Sequence, residues 1–263
     1  MDNNLMDIKI SGSSTMPGGK YRDVKISGAG KIQGNVECEC VKVSGAATIA
    51  GDALVVNDIK VSGKCTLKGH VKAGEVKVSG SLSVEQDLTA SALKISGSTR
   101  VNGQCNVEEI LISGSLSATE VNGKRINVAG SLKTSGDVEA DFIKFNGKFN
   151  IENLLSGDEI IINPSNKCYA KEIGGQNIRI ERYENNGGII SSFFGLSLAF
   201  GKVSAQLIEG DNIVLEYTDA DIVRGKNVVI GRGCNINKVE YTNEYKLKAV
   251  SYTHLTLPTT PYV

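Results

Sequence analysis

Along the first 150 residues, apolar side chains recur in pairs two residues apart, and the pairs recur as a unit. "VKISGAG" at Val24 returns as "IKISGSS" at Ile8, "VKVSGAA" at Val41, "IKVSGKC" at Ile59 and "VKVSGSL" at Val76. The glycine of this unit, or its stand-in, falls at Gly12, Gly28, Gly45, Gly63, Gly80, Gly97, Gly114, Gly130 and Gly147. Stacking the units on that glycine gives an apolar column of Ile8, Val24, Val41, Ile59, Val76, Leu93, Ile110, Ile126 and Ile143. Two residues on, a second column runs from Ile10 to Phe145. Three more follow, from Ile32 to Ile151, from Val36 to Val138 and from Cys38 to Ala140.

A period of two is a strand signal. Each unit reads as three very short strands, with glycine at the corners to supply positive φ. Helices fail on the period, and a meander would need hairpin turns that are missing. The pattern predicts an all-β chain coiled into a parallel β-solenoid, three faces and about 17 residues per turn. One turn buries about six apolar side chains at roughly 1.5–3 kcal/mol each. Ordering its backbone costs roughly 1–2 kcal/mol per residue, so a lone turn is unstable and stacked turns stabilise one another.

Ile160 and Ile162, then Ile178 and Ile180, continue the first face, with Cys168 expected in the inward slot of Ile32. The predicted organisation is a short N-terminal segment (1–7), β-helix repeats (8–183), an apolar insertion (184–209), C-terminal turns in shorter units (210–246) and a tail (247–263). The insertion carries Ile189, Ile190, Phe193, Phe194, Leu198 and Phe200. It reads as a loop folded against one solenoid face, with self-association or a shallow membrane contact as the functional readings. The tail "VSYTHLTLPTTPYV" matches nothing upstream, reads as translated adapter sequence or disorder, and is set apart from the fold.

Composition narrows the function. The 263 residues include 30 glycines, no tryptophan and 5 % aromatics, which suits a thin core. Lys+Arg and Asp+Glu balance at 29 each, so no net field draws nucleic acid. No signal peptide or membrane-spanning run is read, and a cytoplasmic location is expected, with membrane association as an option. The six cysteines form no CxxC pair and are expected reduced and buried.

Chemistry is sparse. One outward column holds Lys9, Lys25, Lys42, Lys60, Lys77 and Lys94. It reads either as a stripe for an anionic polymer or as a solvated face. Asp7, Asp23, Asp58 and Glu75 lie two residues before a lysine and favour local cancellation. His70 is expected outward and alone, and no catalytic set, phosphate loop or metal cluster emerges. The expectation is a non-enzyme without cofactors.

The repeated "ΦKΦSGSxxΦxGxΦ" unit (Φ, apolar) and the closing "IEGDNIVLEYTDADIVRGKNVVIGRGCNINKVEYT" resemble the bactofilins, polymer-forming cytoskeletal proteins, in the variety seen in Gram-positive bacteria. The resemblance spans residues 8–246. It implies a right-handed, three-sided β-helix that joins end to end into nonpolar filaments without nucleotide, organising cell-envelope or morphogenesis machinery. A homopolymer is then the expected partner, alongside the membrane surface or cell-wall synthesis proteins. Independently, a solenoid exposes unpaired backbone edges at its tips. The turns holding Ile8 and Ile10, and those holding Ile230, Ile236 and Val239, are the expected docking surfaces. The alternative is a module that binds wall polysaccharide or membrane through the lysine column and the insertion.

Overall fold

The computed structural model describes residues 5–164, 166–182, 201–248 and 260–261. Among them every regular element is a β-strand. The chain divides into two compact units, Met1–Ala140 and Asp141–Val263, a division that the uninterrupted repeat does not announce.

The first unit begins with β1 (Ile8–Ile10), β2 (Ser13–Lys20), β3 (Asp23–Ile26), β4 (Ala29–Val43) and β5 (Ala46–Ile49). It continues through β6 (Ala53–Val61), β7 (Lys64–Leu67), β8 (Val71–Val78), β9 (Ser81–Val84) and β10 (Leu88–Ile95). Then come β11 (Ser98–Val101), β12 (Gln104–Ile112), β13 (Ser115–Ala118), β14 (Glu120–Val128) and β15 (Ser131–Thr134). β16 (Val138–Phe145) carries the chain into the second unit. Pairing is parallel and always with the previous turn: Val24 lies beside Val41, Val41 beside Ile59 and Ile59 beside Val76. This is the predicted parallel β-solenoid of about 17 residues per turn.

All five predicted columns point inward and are buried, from Ile32 and Ile49 (both 0 % exposed) to Cys38 (3 %). A sixth column, not foreseen, runs through Ala47, Cys65, Leu82, Thr99, Leu116 and Leu132. A typical turn of the first unit therefore aims three pairs of side chains inward, one pair per face. In β6 and β7 these are Ala53 with Val55, Ile59 with Val61, and Cys65 with Leu67.

The repeated glycines have a different cause from the one expected. Among the described glycines only Gly19, Gly34 and Gly233 have positive φ. At Gly45 a Cβ would lie 2.1 Å from the carbonyl oxygen of Gly28, and at Gly80 2.1 Å from that of Gly63. The corner backbones stack so closely that no side chain fits between turns. A second corner is latched by side chains: Asn35, Asp52 and Asp87 each accept, through Oδ1, the backbone N–H of a residue one turn on (Asp52, His70 and Gln104; 2.9, 2.8 and 2.9 Å).

The second unit holds β17 (Lys148–Ile162), β18 (Lys167–Ile180), β19 (Lys202–Leu215), β20 (Thr218–Ile230), β21 (Asn235–Leu247) and β22 (Thr260–Pro261). Its long strands run round a corner and pair in parallel, β17 with β18 and so on to β21. The middle face supplies one inward residue per turn (Leu155, Ile173, Ile208, Val223, Val239) instead of two, and Ile213 meets Val228 after only 15 residues. The closing turns are thus shorter, as expected. Two boundaries move. Ile151 pairs with Ala170, so Cys168 sits two residues earlier than the slot assigned to it. Residues 202–209, read as the end of the insertion, belong to β19 in register with β18. Within the tail, Thr260 and Pro261 lie beside Glu240 and Tyr241.

Candidate functional site

The lysine column exists as a column. Lys9, Lys25, Lys42, Lys60, Lys77 and Lys94 are consecutive partners across β1, β3, β4, β6, β8 and β10. Because i and i+2 share a side of the strand, the carboxylates before them meet them. Lys25 reaches Asp23 at 2.8 Å and Lys60 reaches Asp58 at 3.1 Å, while Glu75 holds Lys77 (2.6 Å) and Lys94 (2.8 Å). Hydrogen bonds from Lys77 and Lys94 lower the Glu75 pKa. Asp7 is lowered in the same way by Arg22, 2.9 Å away. At Lys42 the acid is replaced by Cys40, whose thiol donates instead to Asp58 at 3.5 Å. Acids two residues before four of the six lysines thus offset much of the column's positive charge.

The tip residues Ile8, Ile10, Ile230, Ile236 and Val239 are at most 5 % exposed. Their side chains belong to the core, so the surface a tip offers is the strand edge itself. In the first unit, among the described residues, β1 pairs with β3 and β2 with β4, each on one side only. The β2 edge is interrupted by Pro17, which has no N–H, and by a bulge at Gly19 (φ 152°); such features blunt edges. In the second unit β21 pairs with β20, and on its other edge only Thr260 and Pro261 are found among the described residues. Leu247, level with buried Ile230, is 49 % exposed there.

The second unit also carries an open groove of about 650 Å³ that crosses β17 to β21 at their corner. Its floor carries the column Gly175, Gly210 and Gly225, which ends at Tyr241. The glycines are set by stacking: a Cβ on Gly210 would lie 2.3 Å from the carbonyl oxygen of Gly175. Arg224 stands between two acids, donating from Nε to Glu240 (2.6 Å) and from Nη1 to Glu209 (2.9 Å). Glu240, 7 % exposed, also binds Lys238 at 2.6 Å, and these contacts, Lys238 first, lower its pKa. Lys226 pairs with Asp211 at 2.9 Å. Beside the groove runs an amide ladder in one direction: Asn243 donates to Asn227 (2.6 Å), Asn227 to Asn212 (2.7 Å) and Asn212 to Asn177 (2.9 Å).

His70 is exposed but not alone, since its Nδ1 lies 3.2 Å from Asp87 Oδ2. All six cysteines are free thiols. Burial pushes Cys38, Cys65 and Cys105 up to about 12 and Cys234 up to about 11. Ile189, Ile190, Phe193, Phe194, Leu198 and Phe200 lie outside the described residues. Among the described residues no three His, Cys, Asp or Glu side chains gather in a metal-holding group, and no helix is long and apolar enough to cross a membrane.

No family model and no solved structure matches the chain. It is similar to two proteins of Bacillus subtilis (strain 168). "Uncharacterized protein YhbF" is 41 % identical over 87 residues, covering 33 % of this chain and 32 % of the relative. "Uncharacterized protein YhbE" is 51 % identical over 43 residues, covering 16 % and 18 %. The matches span about a third or less of each relative, whose names state no activity.

Proposed function

We propose that this protein is a self-assembling scaffold of the bactofilin kind, joining copies end to end without nucleotide and organising cell-envelope or morphogenesis machinery from the cytoplasm. The observation that carries the reading is the edge of β21. Its 13 residues are laddered to β20 on one side, and among the described residues only Thr260 and Pro261 meet the other. Unpaired N–H and C=O groups in such a row are a template for a further strand. Pairing there adds main-chain hydrogen bonds at about 0.5–1.5 kcal/mol each and covers Leu247. The role is structural, with no catalytic step. Membrane surface and cell-wall synthesis proteins enter as recruited partners. The alternative, a stripe that binds an anionic polymer through the lysine column, is weakened by the ion pairs within that column.

The test is sedimentation velocity of the full chain over a hundredfold concentration range in nucleotide-free buffer. The proposal expects species that grow with concentration. A single monomeric boundary throughout would refute it.

A further inference from the structure

We infer that the groove across β17–β21 binds an extended, uncharged polysaccharide, lying along the solenoid axis of the second unit. Three observations carry this, and none depends on self-assembly.

The groove's shape is the first. It crosses five neighbouring strands, and four steps of ~4.8 Å give a trough ~19 Å long. An open trough of that length suits a chain molecule better than a compact cofactor, which is normally enclosed over most of its surface. Equivalent backbone recurs at every step, with Gly175, Gly210 and Gly225 in one line, so a ligand built of repeating units meets the same floor at each unit.

Charge is the second. Arg224 is neutralised by Glu209 and Glu240, Glu240 is shared with Lys238, and Lys226 is matched by Asp211. A polyanion would find no uncompensated cations here, and a polycation would find chiefly Glu172. Paired charges nevertheless keep spare donors and acceptors, since a guanidinium has five N–H groups and each carboxylate about four lone-pair sites. Arg224 uses two of its five in the bonds to Glu240 and Glu209. Fixed by their mutual bonds, these groups are preorganised for hydroxyls, which lowers the ordering cost of binding.

Surface character is the third. Leu154 and Leu207 line the trough beside these polar groups, and Tyr241 closes one end of the glycine floor. Tyr241 is stacked on Tyr245 with ring centroids 5.5 Å apart, which restricts its ring. Sugar rings combine apolar faces with peripheral hydroxyls, and this mixture of apolar wall, aromatic ring and fixed hydrogen-bonding groups matches both.

The experiment is affinity electrophoresis of the full chain through gels containing hydroxyethylcellulose, an uncharged β-linked glucan, or carboxymethylcellulose, its anionic counterpart. Wild type is expected to be retarded by the uncharged polymer and not by the anionic one. Tyr241→Ala and Glu172→Ala, the latter a change to a carboxylate without a described partner, should each weaken retardation about tenfold while circular dichroism shows both variants folded. Lys94→Ala, on the lysine column, should leave it intact. The inference is overturned if wild type is not retarded by the uncharged glucan, if the anionic polymer retards it more, or if the two groove variants bind as wild type does. Filament formation is scored separately on the same samples, so failure here leaves the scaffold reading standing.

Discussion

The Cβ that Gly80 lacks would sit 2.1 Å from the carbonyl oxygen of Gly63. The same relationship links Gly97 to Gly80 and Gly114 to Gly97, each at 2.0 Å. Real atoms cannot approach so closely, and both partners are backbone, so a methyl group must push two turns apart. Gly80→Ala is expected to cost about 3 kcal/mol, at or above the upper end for overpacking. Gly12 has nothing within 4 Å of its missing Cβ among the described residues. Gly12→Ala should change stability by less than about 0.5 kcal/mol, as an unconstrained surface change does. Urea unfolding of the two variants checks the contrast.

Thr99 sits in the sixth inward column between Leu82 and Leu116, 2 % exposed, with its hydroxyl buried and unbonded. Thr99→Val removes a desolvated hydroxyl at constant shape and should stabilise by about 1 kcal/mol. Thr134, equally buried, donates to the Gly136 carbonyl at 3.0 Å. Thr134→Val should therefore destabilise by about the same amount. The difference in thermal midpoints between the pair is the readout.

Thiol chemistry should single out one cysteine. Cys40 alone is partly exposed, while the other five are buried. With a thiol reagent near pH 8, the native protein should label at Cys40 and release the rest only on unfolding. Even Cys40 should react slowly, because burial raises its pKa and leaves little thiolate. Peptide mapping identifies the labelled site. Rapid labelling of Cys65 or Cys105 would show that the turns open.

Glu240 gives the pH dependence its sign. Its carboxyl, ordinarily near 4.5, is held lower in the fold by Lys238 and Arg224. The folded state thus binds the proton less readily than the unfolded chain. The ion pairs contribute fully above the ordinary value and fade as pH falls through the depressed one. Unfolding free energy should drop between about pH 5 and 3, and Glu240→Gln should flatten that drop while lowering stability at pH 7. A variant as pH-sensitive as wild type would contradict the assignment.

How much of this was legible follows from period and register. Five inward columns were readable because branched apolar residues repeat there, as from Val24 to Ile126. The sixth was missed because its members range from Gly30 through Thr99 to Leu132, a spread in size that hides a column until the turns are aligned. The cancellation of the lysines was visible from Asp23 and Asp58, since residues two apart share a side. Contacts one turn away, such as His70 with Asp87 or the amide ladder from Asn243, require the register and stayed hidden. Cys168 lies short of its expected slot because the turn from Ile151 to Ala170 takes 19 residues instead of about 17. The corner glycines were recognised but given the wrong cause, since sequence does not distinguish a positive φ from a close approach. Ile10 and Val239 are expected as docking surfaces from their place near the tips. Their alternation marked them as core, and the edges they leave are main chain.

Fibre diffraction from aligned assemblies tests the central claim most directly. If copies join edge to edge, the parallel ladder runs along the filament and a reflection near ~4.8 Å lies on the fibre axis. Copies packed with their strand ladders across the fibre would put that reflection perpendicular to the axis, and a protein that never assembles would give none; either result contradicts the account.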